Sequence, residues 1–117
     1  MEDNLLKEAR ARGYADHRGL YIAANVVEDG KPLGRVWAFL NGSVLTLAEL
    51  EFPAGLGLGL RSVELGGAKA EVKRFLIPFS LRLETAQGCL SFQAFRGAKA
   101  FLAAVETACQ AEPAVPT

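Results

Sequence analysis

Hydrophobic and polar residues alternate in two runs near the end of the chain, residues 79–85 and 89–95, and then give way to a helical period. In the first run Phe79, Leu81 and Leu83 alternate with Ser80, Arg82 and Glu84. In the second Leu90, Phe92 and Ala94 alternate with Cys89, Ser91 and Gln93. A period of two marks strands with one core face and one wet face, and Ala86-Gln87-Gly88 reads as the turn between them. From Gly97 onward Ala98, Phe101, Leu102, Val105, Ala108 and Cys109 fall on one helical face, with Lys99, Glu106 and Gln110 off it. Each large side chain buried there contributes roughly 1.5–3 kcal/mol, enough together to fix a helix against a sheet.

Upstream, Asn41-Gly42 separates residues 35–40 from 44–50 and predicts a two-residue turn with positive φ at both positions. Across it Val36, Ala38 and Leu40 share one face and Trp37 and Phe39 the other, while Leu45 and Leu47 alternate with Val44, Thr46 and Ala48. This hairpin is apolar on both sides, so its outer side requires cover from a closed barrel, a helix or a partner. Residues 20–27 form a first strand that ends at the turn formers 28–32. In residues 55–60 glycine and leucine alternate, which puts three leucines on one face and bare backbone on the other, open to close packing. The half-exposed strand 61–65 follows, and after Gly66-Gly67 comes a fifth run, 70–77, confined by Pro78 to an edge, an end or a bulge. Residues 3–12 predict a short helix capped by Asp3 or Asn4, striped by Leu5, Leu6 and Ala9 and ended by Gly13. So short a helix must dock to persist. The chain thus divides into an N-terminal helical extension (1–18), a mostly β domain of seven antiparallel strands with a C-terminal helix (19–110) and a flexible, proline-bearing tail (111–117).

Thirteen Lys plus Arg balance thirteen Asp plus Glu, so no global field draws the chain to nucleic acid, and none is expected as a partner. Cys89 and Cys109 lack the spacing of a zinc site or a disulfide framework and read as small buried hydrophobes. The first residues are charged from position 2, unlike a signal peptide, and the longest uncharged run, 36–48, is shorter than the roughly 20 residues of a membrane helix. A cytoplasmic protein is expected. Catalytic, metal-binding and cofactor motifs are not expected either. The glycine run 55–60 carries Leu60 where a dinucleotide loop would go on differently, and no Gly-Lys-Ser/Thr follows. His17, the single histidine, sits beside Asp16 at a helix end without a pocket to serve. The remaining candidate chemistry is electrostatic: Arg61, Lys69, Lys73, Arg74 and Arg82 against Glu64 and Glu71 leave residues 61–82 at +3, five minus two.

The segment 81–108, LRLETAQGCLSFQAFRGAKAFLAAVETA, resembles the closing hairpin and helix of bacterial pleckstrin-homology-like and GRAM-like domains. The segment 34–47, GRVWAFLNGSVLTL, is similar to the GRAM-type hairpin in which a short turn joins two apolar strands. The resemblance spans residues 20–110 and implies a partly open seven-stranded antiparallel barrel plugged by its C-terminal helix, serving as a non-enzymatic binding or oligomerisation module. Eukaryotic members carry a tryptophan in that helix, where this chain offers Phe101 and Leu102 and keeps Trp37 in a strand. Phosphoinositide binders in the family carry a Lys followed by basic-x-Arg in the first hairpin; Lys31 and Arg35 match the first two members, and Trp37 stands in place of the last. Two sets of residues follow as expectations. Lys31, Arg35, Lys69, Lys73 and Arg74 would bind an anion or lipid headgroup, and Leu56, Leu58 and Trp37 would contact a protein partner or a second copy. A small ligand-binding barrel or enzyme would instead need a deep pocket with convergent polar groups, which no motif announces.

Overall fold

Strand-forming alternation and tight turns resolve into a single antiparallel sheet in the computed structural model, which describes residues 4–51, 55–73, 79–94 and 99–110. The elements run α1 (Asn4–Ala11), β1 (Tyr21–Glu28), β2 (Lys31–Asn41), β3 (Val44–Glu51), β4 (Gly55–Glu64), β5 (Lys69–Lys73), β6 (Phe79–Thr85), β7 (Gly88–Ala94) and α2 (Lys99–Gln110). The strand order is β4-β3-β2-β1-β7-β6-β5, so β1 joins the two meanders and the sheet stays open, with β4 and β5 at its edges. The expected seven antiparallel strands, short N-terminal helix and C-terminal helix are all present. Expectations placed on Arg74, Pro78, Gly97, Ala98 and the tail 111–117 lie outside the described residues.

Alternation decides what faces inward. Ile22, Ala24 and Val26 of β1, Val36, Ala38 and Leu40 of β2, Leu45 and Leu47 of β3, Val63 of β4, Leu81 and Leu83 of β6, and Leu90 and Phe92 of β7 form one cluster. Phe101, Leu102, Val105, Ala108 and Cys109 of α2 fill the concave side of the sheet, as their helical spacing requires. The backbone N–H of Gly67 donates to Cys109 O at 3.2 Å and fastens the end of α2 to the β4–β5 turn.

The outer side of the β1–β4 half is apolar too, and α1 covers it. Leu5 and Ala9 pack with Trp37, Phe39, Ala48 and Ala15, and Tyr14, Tyr21, Leu50 and Leu56 border them. The Tyr21 ring stands edge-on to Trp37 at 5.8 Å and tilted to Phe39 at 5.7 Å, geometries worth about 0.5–1.5 kcal/mol beyond burial. Gly13, at φ 79°, ends α1: its N–H donates to Arg10 O and that of Tyr14 to Ala9 O, the paired bonds of a Schellman close. The close carries Tyr14 back over the sheet. A polar clamp then ties the connection to the β2–β3 turn: Asp16 accepts from Arg18 and from Gly42 N (2.8 Å), Arg18 Nη2 donates to Gly42 O (3.0 Å), and Asn41 Nδ2 donates to Gly13 O (3.0 Å). The Arg18 hydrogen bond, assisted by the Gly42 and Arg18 N–H groups, holds the Asp16 carboxyl far below the ordinary carboxyl range. The N-terminal segment is therefore the outer layer of the fold.

One turn and one strand boundary differ from expectation. Asn41 pairs with Val44, so the two-residue turn is Gly42-Ser43, one position later than Asn41-Gly42. Gly42 alone has positive φ (58°), the pattern of a turn with glycine at its first central position. The shift lets Leu40 face Leu45 and leaves Gly42 N–H free to donate to Asp16. The turn formers 28–32 hold a type I′ turn at Asp29 (φ 49°) and Gly30 (φ 83°), but β2 begins at once with Lys31, four residues before the expected start at Arg35. The Gly-Leu run 55–60 continues into the half-exposed stretch after it, and together they form the edge strand β4 (Gly55–Glu64).

Candidate binding face

The outer side of β5, β6 and β7 has no helix over it among the described residues, and register lays out its chemistry in rows. Leu81 and Leu83 face the core, so Ser80, Arg82 and Glu84 face out; by the same parity Lys69, Glu71 and Lys73 of β5 and Cys89, Ser91 and Gln93 of β7 share that side. Pairing extends the rows onto β1 and β2. One row runs Lys73, Ser80, Gln93, Asn25, Arg35, and the next runs Glu71, Arg82, Ser91, Val27, Pro32. A third holds Lys69, Glu84 and Cys89.

Two shallow hollows lie on this face. One of about 370 Å³ is lined by Lys69, Ala70, Glu71, Arg82 and Glu84. The other, of about 230 Å³, is lined by Glu71, Lys73, Ser80, Arg82 and Ser91 together with Leu81 and Phe92. They share Glu71 and Arg82 and so lie side by side. Small-molecule sites usually occupy about 300–1,000 Å³ and engulf their ligand; a shallow pair on a strand surface suits a ligand laid across it.

Cross-strand partners neutralise much of the charge. Lys69 faces Glu84 and Glu71 faces Arg82. Arg82 Nη2 also lies 3.5 Å from Glu84 Oε1, an exposed and weak contact. The neighbouring Cys89 sulfur, followed by the Glu84 and Glu71 charges, raises the Arg82 pKa; its guanidinium, like any arginine's, stays cationic. Lys73 instead faces Ser80, and Arg35 faces Asn25. These two exposed cations have no carboxylate opposite them in the ladder. Cys89 and Cys109 are free thiols; burial, followed by the Glu106 charge, pushes the Cys109 thiol up and keeps it protonated.

Of the basic residues expected to act together, Arg35, Lys69 and Lys73 share this face. Lys31 does not. Between Val26 and Val27 the ladder shifts, leaving Leu33 unpaired beside Gly34 (φ 83°), and the bulge turns Lys31 toward the core-side rim opposite Glu28. Arg61 is bound to Glu28 at 2.5 Å on that rim, which removes it from the basic window. The expected partner contacts separate as well. Trp37 is 9% exposed beneath α1, with its indole N–H donating to Gly55 O at 2.9 Å, and Leu56 is half-buried against the same cluster. Leu58 alone stands clear, at 71%.

The glycines of β4 explain the sequence around Leu58. A Cβ on Gly57 would fall 2.7 Å from Glu49 Cβ, and one on Gly59 2.6 Å from the Tyr14 hydroxyl. Arg12 Nη1 also donates to Gly57 O at 2.7 Å. Tyr14 meets Gly59 on the outer side and Glu49 meets Gly57 on the core side, so the three leucines expected to share one face, with bare backbone on the other, do not share it. Leu58 and Leu60 fall at two register shifts against β3, which lift them out of the ladder. Sequence reasoning missed Asn25, Ser80, Val27, Ser91 and Gln93 as a set, because only pairing across β1 brings residues 25 and 93 together; the wet face of β6 and β7 was the available signal.

Among the described residues no group of three or more His, Cys, Asp or Glu is placed to hold a metal, and no helix is long and apolar enough to cross a membrane. In comparisons with known proteins, no family model, no curated protein and no solved structure matches the chain.

Proposed function

We propose that the chain is a pleckstrin-homology-like binding module without chemistry of its own, and that it receives its ligand on the bare outer face of β5–β6–β7. One observation carries this reading: the molecule covers one outer half of its sheet with its own α1 and, among the described residues, leaves the other half open, polar and hollowed. The strand order and the helix in the concavity support the pleckstrin-homology-like assignment. Because α1 covers the apolar hairpin, a second copy is not needed for that purpose, and ligand binding is the better supported half of the binding-or-assembly reading. The module works in the cytoplasm, where its two thiols stay reduced.

A second reading, peripheral attachment to anionic lipid, is favoured by the placement of Arg35, Lys69 and Lys73 on one face. The test is an amide-resolved NMR titration of the labelled chain at low salt with a capped acidic hexapeptide, its basic counterpart, inorganic phosphate and vesicles of 4:1 phosphatidylcholine to phosphatidylserine. Shifts gathered at residues 69–73, 80–84 and 89–93 support the face. Shifts gathered at Leu58 and Leu60, or silence with every probe, defeat it. Vesicle pelleting that falls with salt establishes the lipid reading.

A further inference from the structure

The Lys73–Ser80–Gln93–Asn25–Arg35 row has an order that points to one kind of ligand. Its ends are the two cations without a carboxylate across the ladder, and its middle is neutral. The Ser80 hydroxyl and the Gln93 and Asn25 amides both donate and accept, so they can match the N–H and C=O groups of a peptide backbone. Five strands at about 4.8 Å spacing put the two cations roughly 19 Å apart along the sheet, the reach of about six extended residues. One row over, Val27 is 37% exposed between Ser91 and Pro32, an apolar spot on an otherwise polar surface.

We infer that this row binds an extended acidic peptide of about six residues, with carboxylates at its two ends on Lys73 and Arg35 and an apolar side chain over Val27. The inference rests on the binding-face reading above and names its ligand class. Charge complementarity selects a peptide over a membrane: a flat anionic surface laid on this half would also meet Glu71 and Glu84, which lie in the neighbouring rows, whereas a narrow chain along the first row passes beside them. At a screening length of about 8–10 Å the two end cations act as separate contacts, and both must be met.

The test adds two variants to the titration, with acetyl-Glu-Glu-Leu-Glu-Glu-Glu-amide as the probe. The expected result is a set of shifts at Asn25, Val27, Ser80 and Gln93, absent with the lysine counterpart, and binding at least about tenfold weaker in Arg35→Glu/Lys73→Glu. The milder Arg35→Gln/Lys73→Gln pair should also weaken binding, by less, and serves if charge reversal disturbs the fold. No shift at millimolar peptide, or equal affinity in a folded double variant, overturns the inference. If phosphate or vesicles move these amides and the peptide does not, the peptide is overturned while the face survives; silence toward every probe ends both.

Discussion

On the outside of β1–β4, Tyr21, Trp37, Phe39 and Ala48 lie under α1, whereas on the outside of β6 and β7 Arg82, Ser91 and Gln93 meet water. The same sheet therefore carries two kinds of strand. Residues 36–40 of β2 are buried without interruption, while β6 and β7 alternate buried and exposed side chains. A strand buried on both sides loses its period-two signature, and the loss itself reports that something lies over it. In the covered half, side chains on the outer face contribute to stability; in the open half they are available for recognition.

The sharpest way to break this comparison is Phe39→Ala. Phe39 is fully buried although it points to the outer side, and its truncation should cost about 3–5 kcal/mol in urea unfolding. A loss under 1 kcal/mol would show that α1 does not seal that side. Next comes the packing on β4. Gly57→Ala should cost about 1–3 kcal/mol because its methyl meets Glu49 Cβ and backbone. Gly59→Ala should be relieved in a Tyr14→Phe background, since the conflict is with the hydroxyl; equal melting losses in both backgrounds would show that Tyr14 does not lie there.

Asp16→Asn should cost about 1–2 kcal/mol at pH 7, given the partial exposure of its ion pair with Arg18. Folding lowers the Asp16 pKa, so its contribution is full at neutral pH, begins to fade near the unfolded carboxyl value of about 3.9, and is lost as pH falls through the lower folded value. The gap in unfolding free energy between wild type and variant should therefore hold from pH 7 to about pH 5 and begin to narrow between pH 4 and pH 3, closing only at still lower pH; a gap that stays constant down to pH 3 would disprove the clamp. Smallest of all, Gln93→Ala on the open half should stay within about 0.5 kcal/mol. A large loss there would mean that the open half is structural after all.

Much of this architecture was legible in local pattern. Leu81 and Leu83, Leu90 and Phe92, and the α2 face from Phe101 to Cys109 all lie inside as their spacing requires. The need for a cover over Trp37 and Phe39 could be read, but not that residues 4–15 supply it, because Leu5, Leu6 and Ala9 make a stripe too narrow to specify its target. Bulges were illegible, since they are decided by pairing with another strand. Thus Lys31 and Arg35, four positions apart and nominally on one side, end on opposite faces. The candidate row was harder still: its members come from five strands, and no window of sequence contains them.

The two register shifts in β4 have a consequence for the fate of the chain at high concentration. An edge strand bearing exposed leucines invites a neighbour to extend the sheet, the first step toward fibrils. Here the incoming backbone would find its donors and acceptors out of phase at Leu58 and again at Leu60, and Arg12 already holds the carbonyl of Gly57. The protein can display grease on its flank because that flank is a poor template for growth.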